Sequence, residues 1–171
     1  MKNLAYIVLF LAQGMLAQVN YLLPNEQLIF SFETTKGKKV MLAKDKSNKY
    51  VVYRYGTKEK IELEYPAKDK SSWSKFTFAN YFRGGGKANS GLEIENINFE
   101  NKGVRYVIYF HYSAGDAEDP GGTTIGLAVI NSKTPDKISE IEGKTNTMKG
   151  HLSKLRNDGL IEDGSEKYGL F

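Results

Sequence analysis

The alternation of apolar and polar residues between Leu28 and Ile130 constrains this chain more than any other feature, because a period of two marks strands half-buried in a sheet. Leu28, Phe30 and Phe32 fall on one phase, with Ser31 and Glu33 on the other. A turn at Thr34 to Lys38 follows, and Val40 and Leu42 resume the pattern. After a break at Asp45 to Asn48, Val51, Tyr53 and Tyr55 form the next face, with Arg54 opposite. Gly56 opens another turn. Ile61, Leu63 and Tyr65 then alternate with Glu62 and Glu64 until Pro66, which cannot donate to a ladder.

The second half repeats the theme. Phe76, Phe78 and the Tyr81–Phe82 pair follow a polar linker. Leu92 and Ile94 alternate with Glu93 and Glu95, but Ile97 and Phe99 resume on the other phase, which predicts a bulge or break near Asn96. Asn101-Lys102-Gly103 signals a hairpin. Val104 to Tyr112 is the longest strand, Thr124 to Ile130 is nearly continuously apolar, and Lys137 to Ile141 supplies a last one. Eight or nine such strands predict a mainly β fold, a single antiparallel meander closing into a barrel or a two-sheet sandwich. Met148, Leu152 and Leu155 fall at helical spacing, Thr147 could cap and Gly159 could end the helix. The expected order is a β domain over 18–142 and a C-terminal appendage over 143–171 with a short helix.

The first residues predict an address. Lys2, the apolar run Leu4 to Leu16 and the small residue Ala17 have the order of a signal peptide over 1–17. The run is shorter than the ~20 residues a bilayer span needs, so no stable membrane insertion is expected after cleavage. Without cysteine there is neither a disulfide nor a lipid-anchored N-terminus. A periplasmic or secreted protein fits best, and a domain of this length buries about two-thirds of its unfolded surface without a staple. The net charge of +4 comes from scattered lysines, whereas nucleic-acid binding would want a denser basic stripe.

The residue inventory narrows the chemistry. Cysteine nucleophiles are excluded. The only histidines are His111, on the polar phase of its strand, and His151, on the expected helix, so no zinc site is expected and no cofactor is implied. Glu62, Glu64, Glu93 and Glu95 sit on polar strand phases, where solvated surface is the ordinary reading, although a hydrolytic carboxylate pair depends on distances that spacing does not give. Asp116, Glu118 and Asp119 crowd the loop Ser113 to Gly122 without the spacing of a calcium loop.

The segment Tyr81 to Gly91 stands out. Gly84, Gly85 and Gly86 free the backbone, Arg83 and Lys87 flank them, and Asn89 follows. Successive amides beside two cations could cradle an anion. Trp73 and Tyr81 lie nearby in sequence, so the candidate ligand-binding set is Trp73, Tyr81, Arg83, Gly84, Gly85, Gly86, Lys87 and Asn89. Tyr81, Tyr109 and Tyr112 could add an exposed aromatic patch, while Tyr53, Tyr55, Tyr65 and Tyr106 lie on core phases.

Phe30–Ser31, Thr35 to Lys38, Tyr53 to Gly56 and Ile61 to Leu63 together resemble the pattern of small, uncharacterised exported bacterial β-proteins, across Leu28 to about Tyr112. The resemblance implies a fold and no activity. Members often carry a cysteine pair flanking the turn, where this chain has Glu33 and Ala43. More loosely, the chain is similar to periplasmic C-type lysozyme inhibitors, but Ser90-Gly91 lacks the tyrosine of their inhibitory Ser-Gly-x-x-Tyr loop. The overall expectation is a non-catalytic exported binding domain at the cell envelope, taking a protein or an anionic glycan. A structural or accessory subunit docking through a sheet edge is the alternative, and a carboxylate-dependent glycan hydrolase comes third.

Overall fold

The structure is a computed structural model and describes residues 20–165. The expected signal peptide at 1–17 lies outside the described residues. The chain is mainly β, and its two sheets face one another as a sandwich without closing into a barrel. The first meander comprises β1 (Glu26–Glu33), β2 (Lys39–Asp45), β3 (Val51–Gly56) and β4 (Ile61–Tyr65). A 3-10 turn over Lys70–Lys75 carries the chain to the second, β5 (Phe76–Arg83), β6 (Leu92–Asn101), β7 (Val104–Ser113), β8 (Gly122–Asn131) and β9 (Ile138–Glu142). Lys102 and Gly103 take φ of 51° and 75° between β6 and β7, the left-handed pair that a two-residue hairpin requires.

The core lies between the sheets. Phe30, Phe32, Val40, Leu42, Val51 and Tyr53 from one sheet meet Phe76, Phe78, Ile97, Phe99, Ile108 and Leu127 from the other. Phe99 centres an aromatic cluster, stacked on Tyr106 at 4.8 Å and on Tyr65 at 5.2 Å, with Tyr53 at 4.9 Å. The tyrosines expected in the core are there.

Three local expectations change. No bulge occurs at Asn96: β6 keeps register with both neighbours throughout. Its phase change is real, but Leu92 and Ile94 go to the outer face while Glu95, Ile97 and Phe99 share the inner one. A bulge sits instead at Ile29, between the pairs Leu28↔Ala43 and Phe30↔Leu42. It turns Leu28 outward to Tyr21, Met41 and Val52, and leaves Ile29 and Phe30 in the core.

The C-terminal segment is the third. The expected helix from Thr147 forms only as α1 (Ser153–Asn157), because β10 (Lys149–Gly150) pairs with β1 first. Gly150 has φ +81°, and a Cβ there would fall 2.0 Å from the Ile29 carbonyl oxygen. Only glycine fits this contact. Leu152 and Leu155 are fully buried in the main core, and β11 (Glu162–Asp163) pairs in parallel with β5. The tail therefore stitches the sheets together, giving orders β10-β1-β2-β3-β4 and β11-β5-β6-β7-β8-β9. Among the described residues no helix is long and apolar enough to cross a membrane.

Candidate functional site

The glycine segment forms the β5–β6 hairpin. Arg83 pairs with Leu92 at its base, and Gly86–Asn89 make a 3-10 turn. Gly85, Gly86 and Ser90 have φ of 97°, 56° and 43°, so the left-handed backbone that the glycines allowed is used. Every residue from Tyr81 to Asn89 is exposed.

Its polar groups are partly spent internally. The Arg83 guanidinium donates to the Ser90 carbonyl from Nε at 3.0 Å and Nη2 at 2.6 Å. Asn89 Nδ2 donates to Gly84 O at 2.9 Å, and Gly91 N–H to Gly86 O at 2.8 Å. Gly91 O accepts from Ala114 N–H at 2.7 Å, which fastens the hairpin to the end of β7. Arg83 and Lys87 thus stand on a braced turn. Asn89 contributes one bond to that brace.

The other predicted members divide. Trp73 is not part of this surface: it is buried in the core on the 3-10 turn before β5, with its indole N–H donating to Asn48 O at 3.1 Å. The full length of β5, about 25 Å at strand rise, separates it from the hairpin. Tyr109 is buried as well. Tyr81 and Tyr112 are both exposed but lie on opposite faces, since Tyr81 aligns with Ile94 and His111, whereas Tyr112 aligns with Glu93 and Phe82.

Phe82 is the aromatic that reading by residue class passed over. It is 69% exposed, and Tyr112, two strands away on the same face, is 42% exposed. Both lie on the phase that forms the core elsewhere in β5 and β7. Their exposure shows that the first sheet does not fully cover this end, where β6, β7 and β8 run ten residues each against eight or fewer in the first sheet. The result is a projecting end with Phe82, Tyr112, Arg83 and Lys87 at its tip.

Three of the four candidate strand carboxylates have structural partners. Glu62 pairs with Lys38. Glu64 accepts from Arg54 Nε at 2.7 Å and Lys68 Nζ at 3.0 Å. Glu95 faces inward, 3% exposed, and accepts from Ser153 N–H at 3.2 Å at the start of α1. Burial pushes its pKa up against the hydrogen bond from Ser153. In the loop after β7, Asp116 accepts from the amides of Glu118 and Asp119, each at 2.9 Å, which lowers its pKa.

One buried cluster lay hidden on a polar phase. Arg54, 1% exposed, donates from Nη1 and Nη2 to both Glu26 oxygens at 2.6 and 2.7 Å, and from Nη1 to Tyr21 O at 2.8 Å. Tyr50 Oη donates to Glu26 at 3.0 Å, and Asn25 Nδ2 links Tyr50 to Asp45. Burial alone would raise the pKa of Glu26, but the Arg54 and Tyr50 bonds and the Leu23 amide bring it below the usual range. This cluster lies under Tyr21 on the outer face of the first sheet and holds that face shut. Compared with known proteins, the chain matches no family model, no curated protein and no solved structure. Function is therefore read from the surface itself.

Proposed function

We propose that the protein is a non-catalytic binding domain of the cell envelope, exported by its N-terminal segment, and that it engages a partner protein through the projecting end of the second sheet. The observation that carries this reading is the exposure of Phe82 and Tyr112 on a face that is core elsewhere. Aromatic side chains left uncovered on a rigid support are the usual anchors of protein interfaces. Phe82 has no polar handle for a sugar, which favours a protein over an anionic glycan. Lys87 in the turn and Arg83 on the other face of the same tip put two positive charges near it, which favours an acidic rim on that partner.

Photo-crosslinking tests this. A photoreactive phenylalanine analogue is placed at 82 or 112 in the exported protein, with position 133 as a distant surface control. The expected result is a discrete protein adduct from 82 and 112, absent at 133 and weakened by R83A/K87A. Adducts equal to those at 133, or retention on a polyanionic glycan such as dextran sulfate that R83A/K87A abolishes without any protein adduct, would overturn it.

A further inference from the structure

The turn of the chain at Gly143 leaves the start of β8 without a neighbour on one side. β8 pairs with β7 from Gly122 onward, but with β9 only over Gly126 to Ile130. Gly143 N–H donates to Ile125 O at 2.9 Å, so the backbone groups of Ile125 face away from β7. Backbone direction alternates along an antiparallel strand, so the amide and carbonyl of Thr123 face the same way. Among the described residues no strand meets them.

Beside this open edge lies a cavity of about 980 Å³. Tyr109, His111 and Thr123 line it together with Glu140, Glu142 and Lys144. Tyr109, Gly126 and Glu142 are register partners on three successive strands. A Cβ at position 126 would fall 2.3 Å from the Tyr109 hydroxyl, so the phenol lies across the bare backbone toward β9. Glycine at 126 therefore makes the floor.

The electrostatics favour a cation. Glu140 and Glu142 form no salt bridge among the described residues. Lys144 supplies one positive charge against their two. Burial lowers the His111 pKa, opposed by Glu140, which leaves a neutral ring at pH 7. The Tyr109 and His111 rings sit with centroids 5.0 Å apart. Two unpaired carboxylates beside aromatic faces suit an alkylammonium or guanidinium group.

We propose that the open β8 edge and this cavity together bind an extended basic peptide segment, whose backbone adds to the sheet at Thr123 while a lysine or arginine side chain enters between Tyr109 and the Glu140–Glu142 pair. Strand addition supplies the backbone hydrogen bonds, and the cavity supplies side-chain selection. This site stands apart from the Phe82 surface: β5 and β8 are about 15 Å apart across the sheet, and the charge preference is the opposite.

Acetylated seven-residue peptides of alternating valine and threonine, with lysine, norleucine or glutamate at the centre, test it by titration with amide chemical shifts as the readout. The lysine peptide should bind at least about tenfold more tightly than the norleucine one, roughly the 1.4 kcal/mol that tenfold represents, and shift Thr123, Thr124 and His111. E140Q/E142Q, both at exposed positions, should erase that preference while leaving the urea midpoint unchanged. N-methylation of alternate peptide amides should abolish binding. Equal affinity for lysine and norleucine, shifts confined to other residues, or butylamine binding as tightly as the lysine peptide would overturn the proposal. R83A/K87A should leave this titration unchanged, so its failure and that of the Phe82 surface are separable.

Discussion

Among the described residues each sheet buries one glutamate, and the two are treated in opposite ways. Glu26 on the first sheet is clamped by Arg54, Tyr50 and a backbone amide, and its pKa falls despite burial. Glu95 on the second is held by the Ser153 amide at the foot of a short helix, and burial drives its pKa up. The first sheet is closed on both faces, with Tyr21 and Tyr50 over its outer side. The second extends into solvent, with aromatics uncovered at its tip. One half is a locked frame and the other carries both proposed contact surfaces. Stability and binding should therefore respond to different residues.

The sharpest way to break that division is Arg54→Ala. It leaves Glu26 charged, buried and without its guanidinium, a loss on the order of 3–5 kcal/mol for a buried pair. That is a large part of a domain's typical 5–15 kcal/mol, so the urea midpoint should drop steeply. An Arg54→Ala protein with wild-type stability would mean that residues 20–26 do not seal the first sheet.

How much of this frame could be read beforehand follows from the same residues. Alternation located the strands and most of their inner faces because one face of each sheet is packed on the other. It could not show that Arg54, on a polar phase, is among the most buried side chains, since that depends on Tyr21 folding over the outer face from more than thirty residues away. The spacing of Met148, Leu152 and Leu155 was helical, but pairing of Lys149 and Gly150 with β1 took precedence over local propensity. In β6 the phase change signalled a switch of environment along one straight strand. Within the candidate site, the exposed hairpin was legible from its glycines. The removal of Trp73 and the exposure of Phe82 were not, because both depend on where the first sheet ends.

A middle-sized effect separates the two carboxylates by pH. Glu26 has a folded pKa below its unfolded value of ~4.3, so its contribution is complete above that value and is lost as pH falls through the folded one. Glu95 has a raised folded pKa, so its contribution is complete below the unfolded value and is lost as pH rises through the folded one. Glu95→Gln should therefore stabilise the protein at pH 7, by less than Arg54→Ala costs, and the gain should vanish near pH 3. Glu26→Gln should destabilise at pH 7 and converge with wild type in acid. Thermal melts of both variants across pH 3–8 check the crossing signs. Parallel profiles would mean that the two sites share one environment.

The smallest effect on stability is expected where the effect on binding is largest. Phe82 and Tyr112 occupy inner-face positions, and in any other row of the sheet truncating them would open a cavity costing several kcal/mol. Here Phe82 is 69% exposed and Tyr112 42%, so F82S/Y112S removes much less buried area than a core pair would and should change the unfolding free energy by no more than about 1 kcal/mol. Shedding exposed apolar surface should also improve solubility. If the melting temperature instead falls as it would for a core pair, the tip is held by contacts within the molecule and is not a docking surface. An unfolding free energy within that bound, together with loss of the partner adduct from a probe at position 93, which lies between Phe82 and Tyr112 on the same face, would assign the uncovered aromatics to recognition, a demand that explains why a chain with an otherwise sealed core leaves them in water.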